Sequence, residues 1–248
     1  MRARIGGLEL NGMDIAQRSR FTIHNDGLRG WFEGVGVKRD AVERQNAHGD
    51  YDLPVFREAR VVSIQGLVNT RSDMEQDEAI NALLGVCADG GRELLTIESP
   101  LGPTWTYVRL SDGTEVDRLV LGRTAKYRLT LRAADPRRYG AVQSFTGTEV
   151  DVHHYGNAIA APVVEVAGPH TAPYTVTGPD GRVVGITQTL TASQTHRIDF
   201  STGRVERNGV AQLGATSSMD VWGIPAGRPA PMTISSGVMT VSVADTYL

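Results

Sequence analysis

The sequence predicts a mainly β protein with one principal α-helix, built as a β-rich N-terminal domain followed by a C-terminal β-sandwich. Three observations predict it. The 248 residues include 28 glycines and 11 prolines, which punctuate the chain at the short intervals of strands and turns. One segment, about 73–88, carries helix signals. The charge content also changes along the chain. Residues 1–140 hold forty charged side chains, twenty of each sign, whereas residues 141–248 hold thirteen charges and fourteen threonines. The change falls near Gly140, so the expected domains are 1–140 and 141–248.

Composition narrows the function before any motif is read. Hydrophobic residues make up 40% and charged residues 21%, with a formal charge of −3. That balance belongs to a folded globular chain. It lacks the basic excess of a nucleic-acid binder. Cys87 is the lone cysteine, which excludes an internal disulfide and metal sites built on several cysteines. Synthesis in a reducing cytoplasm is the expectation. The start, Met1-Arg2-Ala3-Arg4-Ile5-Gly6, has no apolar core of a signal peptide. No run approaches the length of a membrane span.

In chain order, residues 1–35 read as short strands with a turn at Asn11-Gly12. Residues 34–50 read as an exposed loop carrying Lys38, Arg39, Asp40, Glu43, Arg44, Gln45, Asn46 and His48. A loop this long without structure of its own is either merely mobile or serves binding or order on assembly; on the second reading Lys38, Arg39, Glu43 and Arg44 are candidate assembly residues. A strand follows from Arg60 to Asn69. Ser72-Asp73-Met74-Glu75 is a capping box, and Asp73, Glu75, Asp77 and Glu78 suit the positive end of the helix dipole. Ile80, Leu83, Leu84 and Cys87 form the expected apolar stripe, ended by Gly90 or Gly91. Strands are expected at Glu93–Glu98, Thr104–Leu110, Glu115–Leu121 and Lys126–Ala133, the last alternating at period two. Asp135–Gly140 reads as turn. The second part then shows strands at Val163–Ala167, Tyr174–Thr177, Val183–Leu190, His196–Phe200, Val205–Arg207, Met219–Trp222, Met232–Ser235 and Val238–Val243, the spacing of a sandwich.

The chemistry-bearing residues do not assemble into a catalytic or metal signature. The acidic helix start is explained by capping and dipole. Glu93 and Glu98, a conceivable glycosidase pair, differ by an odd number of positions on one strand and point to opposite faces. His153-His154 with His170 or His196 and Asp199 would be a metal set, but adjacent strand residues face apart. Cys87 belongs to the helix stripe and reads as core. No nucleophile elbow, phosphate loop or paired-histidine zinc motif occurs. No enzyme, cofactor or metal is therefore expected. Trp105, Tyr107, Tyr174 and Trp222 are core anchors or sugar-stacking rings. Tyr174 and Trp222 are the candidate glycan-stacking residues of the alternative reading, a carbohydrate-binding module for a host cell-wall glycan.

The order of elements carries a resemblance. Leu8-Glu9-Leu10-Asn11-Gly12 stands near the start and Arg60–Gln65 before the helix. Tyr127-Arg128-Leu129-Thr130-Leu131-Arg132 runs into Ala133-Ala134-Asp135-Pro136-Arg137-Arg138-Tyr139. Ala161-Pro162-Val163-Val164-Glu165-Val166-Ala167-Gly168 opens the second part. Arg197-Ile198-Asp199-Phe200-Ser201-Thr202-Gly203-Arg204-Val205 precedes Asn208-Gly209. Taken in order over nearly the whole chain, this resembles the distal tail protein (Dit) family of long-tailed, non-contractile bacteriophages.

The resemblance implies a virion structural protein of the tail tip or baseplate hub, made in the host cytoplasm. The first domain would form a homo-oligomeric ring, usually hexameric, and the second would be a galectin-like or carbohydrate-module-like sandwich. The ring would join the tail tube protein to the tail tip or tail-associated protein, with the tape measure protein as a further partner. Galectin sugar sites need His-x-Asn-x-Arg and Trp-Gly-x-Glu. Here Trp222-Gly223 is followed by Ile224-Pro225 and the first motif is missing.

Overall fold

The structure, a computed structural model, describes residues 1–12, 19–119 and 123–248. They form two units, Met1–Arg138 with Leu248, and Tyr139–Tyr247. The first unit contains β1 (Arg2–Ile5), β2 (Leu8–Gly12), β3 (Phe21–Arg29), β4 (Val37–Lys38), β5 (Phe56–Arg57), β6 (Arg60–Asn69), α1 (Asp73–Leu84), β7 (Glu93–Ser99), β8 (Gly102–Leu110), β9 (Glu115–Arg118) and β10 (Thr124–Ala133). Strands neighbour one another in the order β8-β7-β1-β2-β3-β6-β10-β9, and β8 also pairs with β10. That extra pairing closes seven strands into a barrel. Among the described residues of this unit, only β2 and β3 run parallel.

Period-two alternation places the barrel core. Ala125, Tyr127, Leu129, Leu131 and Ala133 of β10 point inward, as do Val62, Ile64 and Val68 of the paired β6. Gly66 sits among them because a Cβ there would lie 1.6 Å from the Thr22 carbonyl oxygen. Tyr127, directly opposite Gly66, fills that space and donates its hydroxyl to the same carbonyl at 3.1 Å. The β1–β2 turn is Gly6-Gly7, both at positive φ. The turn expected at Asn11-Gly12 is therefore misplaced. Those two residues lie inside β2 and pair with Thr22 and Ile23.

The capping box forms in part. The Ser72 hydroxyl accepts from the Glu75 amide at 3.2 Å, and the Glu75 carboxylate accepts from the Arg71 amide at 2.8 Å. The helix buries Gln76, Ala79, Ile80 and Leu83. Leu84, expected in the stripe, is 46% exposed. The helix also stops earlier than expected, at Leu84 with Gly85 as its cap, and beyond it Cys87 takes a left-handed φ of 52°. That turn swings the thiol into the core beneath β8, 3.9 Å from the Val108 carbonyl. Burial, reinforced by the Glu93 carboxylate, pushes its pKa up.

The second unit contains β11 (Arg138–Gly147, entering at Tyr139), β12 (Glu149–Val152), β13 (Val163–Ala167), β14 (Tyr174–Thr177), β15 (Val183–Ile186), β16 (Thr195–Asp199), β17 (Arg204–Arg207), β18 (Val210–Ala211), β19 (Thr216–Met219), β20 (Ala230–Ile234) and β21 (Met239–Tyr247). One sheet runs β18-β17-β16-β13-β21-β11 and the other β12-β20-β14-β15-β19. Both face one core, in which Val164, Val166, Ile198, Val241 and Val243 meet Val152, Val176, Val184, Ile186, Met232 and Ile234. This is a β-sandwich. β11 and β12 are absent from the sequence expectation, which read Asp135–Gly140 as turn. The strand begins at Arg138 instead. The mainly β class with one α-helix stands for the described residues.

Candidate assembly surface

Residues 34–58 form an arm whose two legs hydrogen-bond to each other and pack on little else. Val37 and Lys38 pair with Arg57 and Phe56, Glu43 bridges Asp50, and the Tyr51 amide donates to the Val42 carbonyl at 2.9 Å. The expectation of a loop ending at residue 50 is thus corrected. The segment is a hairpin, and its return leg runs on to β5. Lys38, Arg39, Glu43 and Arg44 all lie exposed on it. Arg44 covers the Tyr51 ring at 5.6 Å. The sequence reading missed the arm's apolar half. Val37, Val42, Tyr51, Leu53, Val55 and Phe56 are all exposed, Phe56 to 69%. The signal was present, since Tyr51, Leu53 and Val55 alternate at period two.

The arm's root is held by a buried cation. The Arg60 guanidinium donates through Nη1 to the carbonyls of Gly30 (2.7 Å), Trp31 (3.1 Å) and Glu33 (3.1 Å), and through Nε to that of Pro136 (2.8 Å). Burial, with Arg138 nearby, lowers its pKa to about 10, partly countered by Glu33. Arg138 lies over the rings of Trp31 and Phe32 at 5.8 and 5.7 Å. Gly30 is required here: φ is 77° and a Cβ would strike the Val61 carbonyl.

The two candidate glycan-stacking residues do not present rings. Trp222 is 3% exposed and Tyr174 1%. Trp222 follows β19 rather than lying in a strand, and packs on Phe200 with centroids 4.2 Å apart. Tyr174 hydrogen-bonds the buried His196 Nδ1 at 2.8 Å and lies 4.3 Å from the His170 ring. As stacking platforms they are corrected: both are core side chains. Trp105 and Tyr107 meet edge to face at 5.9 Å, and Tyr107 is exposed.

The remaining candidates separate in space. The Glu93 carboxylate accepts from the Cys87 amide, whereas Glu98 pairs with Arg2 and Arg4. His153 packs on Phe145 and Tyr155, and the His154 Nε2 lies 3.3 Å from the Ile224 carbonyl. The Asp199 carboxylate accepts from the Ser201 amide and hydroxyl. Burial opposes its ionisation, but these bonds and Arg197 outweigh it and hold its pKa low. Among the described residues, no group of three His, Cys, Asp or Glu is placed to hold a metal. No helix among them is long and apolar enough to cross a membrane.

His196 sets a pH limit on the sandwich. Its Nε2 is buried and meets no hydrogen-bond partner among the described residues. Burial lowers its pKa, with Arg207 across the ladder and His170 beyond Tyr174 acting in the same direction. The unfolded chain therefore binds a proton at His196 before the folded chain does. Stability is full above the ordinary histidine pKa of about 6.5 and falls as pH drops from there through the folded value. Urea unfolding of the wild type at pH 7.5 and 5.0 should show this loss. His196→Gln should flatten it, and an unchanged slope in that variant would place the titration elsewhere.

No family model matches this sequence, and no curated protein matches it. Solved structures do. The crystal structure of SPP1 Dit, described as a hub of the adsorption apparatus in phages infecting Gram-positive bacteria, is 15% identical. It superposes with a TM-score of 0.78 over 100% of this chain and 99% of that one. A chain of the phage P2 baseplate in its activated conformation with strontium is 10% identical, with a TM-score of 0.50 over 97% of each chain. The shared feature is the fold.

Proposed function

From a fold held in common with a phage tail hub protein over the whole chain, we propose that this protein is a structural component of the virion, without enzymatic activity. It forms the distal tail ring that joins the tail tube to the tip apparatus, with the tape measure protein as a further neighbour. The barrel unit builds the ring, hexameric in this reading, and the sandwich is the second domain of each subunit. The observation that carries the proposal is the arm. A hairpin exposing Val37, Tyr51, Leu53, Val55 and Phe56 is a poor surface for a monomer. It is a natural one for a repeated subunit contact. The rival reading as a glycan-binding module draws no support from Trp222 or Tyr174, whose rings lie in the core.

Negative-stain microscopy with a solution mass is the test. Closed rings are expected. A uniform monomer, persisting with tube and tip proteins added, would overturn the proposal. Deleting the arm tip, residues 40–52, should release monomers while the thermal melt stays within a few degrees of wild type, because the tip contributes nothing to either core. Loss of the melt itself would show that the arm is structural.

A further inference from the structure

We infer that the outer face of the barrel where β10 meets β8 receives the acidic face of α1 from a second copy of the chain. The inference rests on the ring reading and says which surfaces meet. Arg132 and Arg109 stand directly opposite one another across this seam, and both are exposed. Like charges facing across a ladder oppose pairing. Beside them stand three exposed apolar side chains. Val61 lies opposite Arg132 on β6, and Tyr107, two residues from Arg109, lies opposite Leu94 on β7. All three are exposed. Arg92 sits 4.5 Å over the Tyr107 ring.

Several other strand arginines of this unit are matched by carboxylates. Arg2 and Arg4 meet Glu9 and Glu98, Arg128 meets Glu115, and Arg118 meets Asp77. Among the described residues no carboxylate pairs with Arg92, Arg109 or Arg132. Arg109 donates instead to the Gly90 carbonyl. The face thus combines exposed apolar side chains with cations that no carboxylate meets, which suits an amphipathic anionic partner.

The same chain carries that partner. On α1, Met74, Asp77 and Glu78 fall at i, i+3 and i+4 on one exposed face, with Asp73 beside them. The last turn of the helix has no basic residue. Asp77 and Glu78 each touch one exposed arginine of their own chain, Arg118 and Arg20. Solvent-exposed pairs of this kind are weak and yield readily to a better contact. Two different patches meeting head to tail make a heterologous contact, which forms a ring where its rotation closes.

Charge reversal tests the pairing on the full chain. Arg132→Glu alone, and Arg109→Glu with Arg132→Glu, should each weaken assembly by about tenfold or more. Asp73→Arg with Glu78→Arg should do the same. Melting curves check that each variant is folded, and the single Arg132→Glu variant serves if loss of the Arg109–Gly90 bond unfolds the double one. Combining the arginine and acid reversals in one chain should restore the rings. If wild-type rings form and the reversals leave them unchanged, this pairing is wrong and the ring reading stands. Weakening without restoration assigns the face to another partner and also overturns the pairing. If the wild type never assembles, the ring reading fails and takes the pairing with it.

Discussion

Aspartate in place of Leu83 should abolish cooperative folding of the barrel unit. Leu83 is fully buried in the core cluster with Ala79, Ile80, Val86 and Cys87. A carboxylate there has neither a cationic partner nor water, and isolated buried charges are among the costliest changes a core can suffer. Losing the leucine's own burial adds about 2 kcal/mol. Together these exceed about 5 kcal/mol, the lower end of the stability of an ordinary domain. Amide exchange should report it as lost protection across β6 and β10. Leu84→Asp, one residue on but 46% exposed, should stay within about 0.5 kcal/mol of wild type. The pair makes the prediction sharp, because equal melting of the two variants would mean that the buried face of α1 is wrongly identified.

Removing the Arg60 guanidinium should cost nearly as much and should act at a chosen place. Arg60→Met keeps the apolar stem but strips the donors from the carbonyls of Gly30, Trp31, Glu33 and Pro136. A buried acceptor left without a partner costs roughly 1–3 kcal/mol; the bond to Trp31 is buried and the other three are part-buried, and the losses do not simply add. A total of about 3–5 kcal/mol is the expectation. Arg60→Lys restores the charge without the planar fork that reaches several carbonyls at once, so it should recover only part. Urea midpoints measure the loss. Limited proteolysis locates it, with new cleavage between residues 30 and 34. A wild-type midpoint for Arg60→Met would show that the arm's root is held by its ring contacts instead.

What could be read from the sequence was the part governed by local pattern. The alternation of β10 and of β6 declares a strand buried on one face, and Ser72 with Glu75 declares a helix start. Long-range pairing was not readable. Asn11-Gly12 has the composition of a hairpin turn, yet β3 passes beside it and makes it strand, so the turn falls to Gly6-Gly7. Arg138-Tyr139-Gly140 looks like the tail of a turn, but the chain continues there as β11. Arg60 reads as a polar residue opening a strand, because no local rule announces four carbonyls arriving from residues 30–33 and 136. Tyr174 and Trp222 show the same limit. An aromatic side chain in a β domain has one composition signal whether it faces the core or the solvent, and here both face the core. The arm was half visible. Its charged leg is plain in the composition, whereas the period-two run on its return leg is too short to declare a strand.

The left-handed turn at Cys87 gives the protein a reporter of its own. The thiol is buried, and its raised pKa keeps it protonated, so reagents that attack the thiolate find nothing in the folded state. A cysteine introduced at Leu101, fully exposed at the tip of the β7–β8 hairpin, is then the one reactive sulfur on the native protein and takes a dye or spin label without a cysteine-free background. Reaction at Cys87 happens only when the helix lifts from the barrel. The rate at which that second label appears is therefore a clock for the opening of the core.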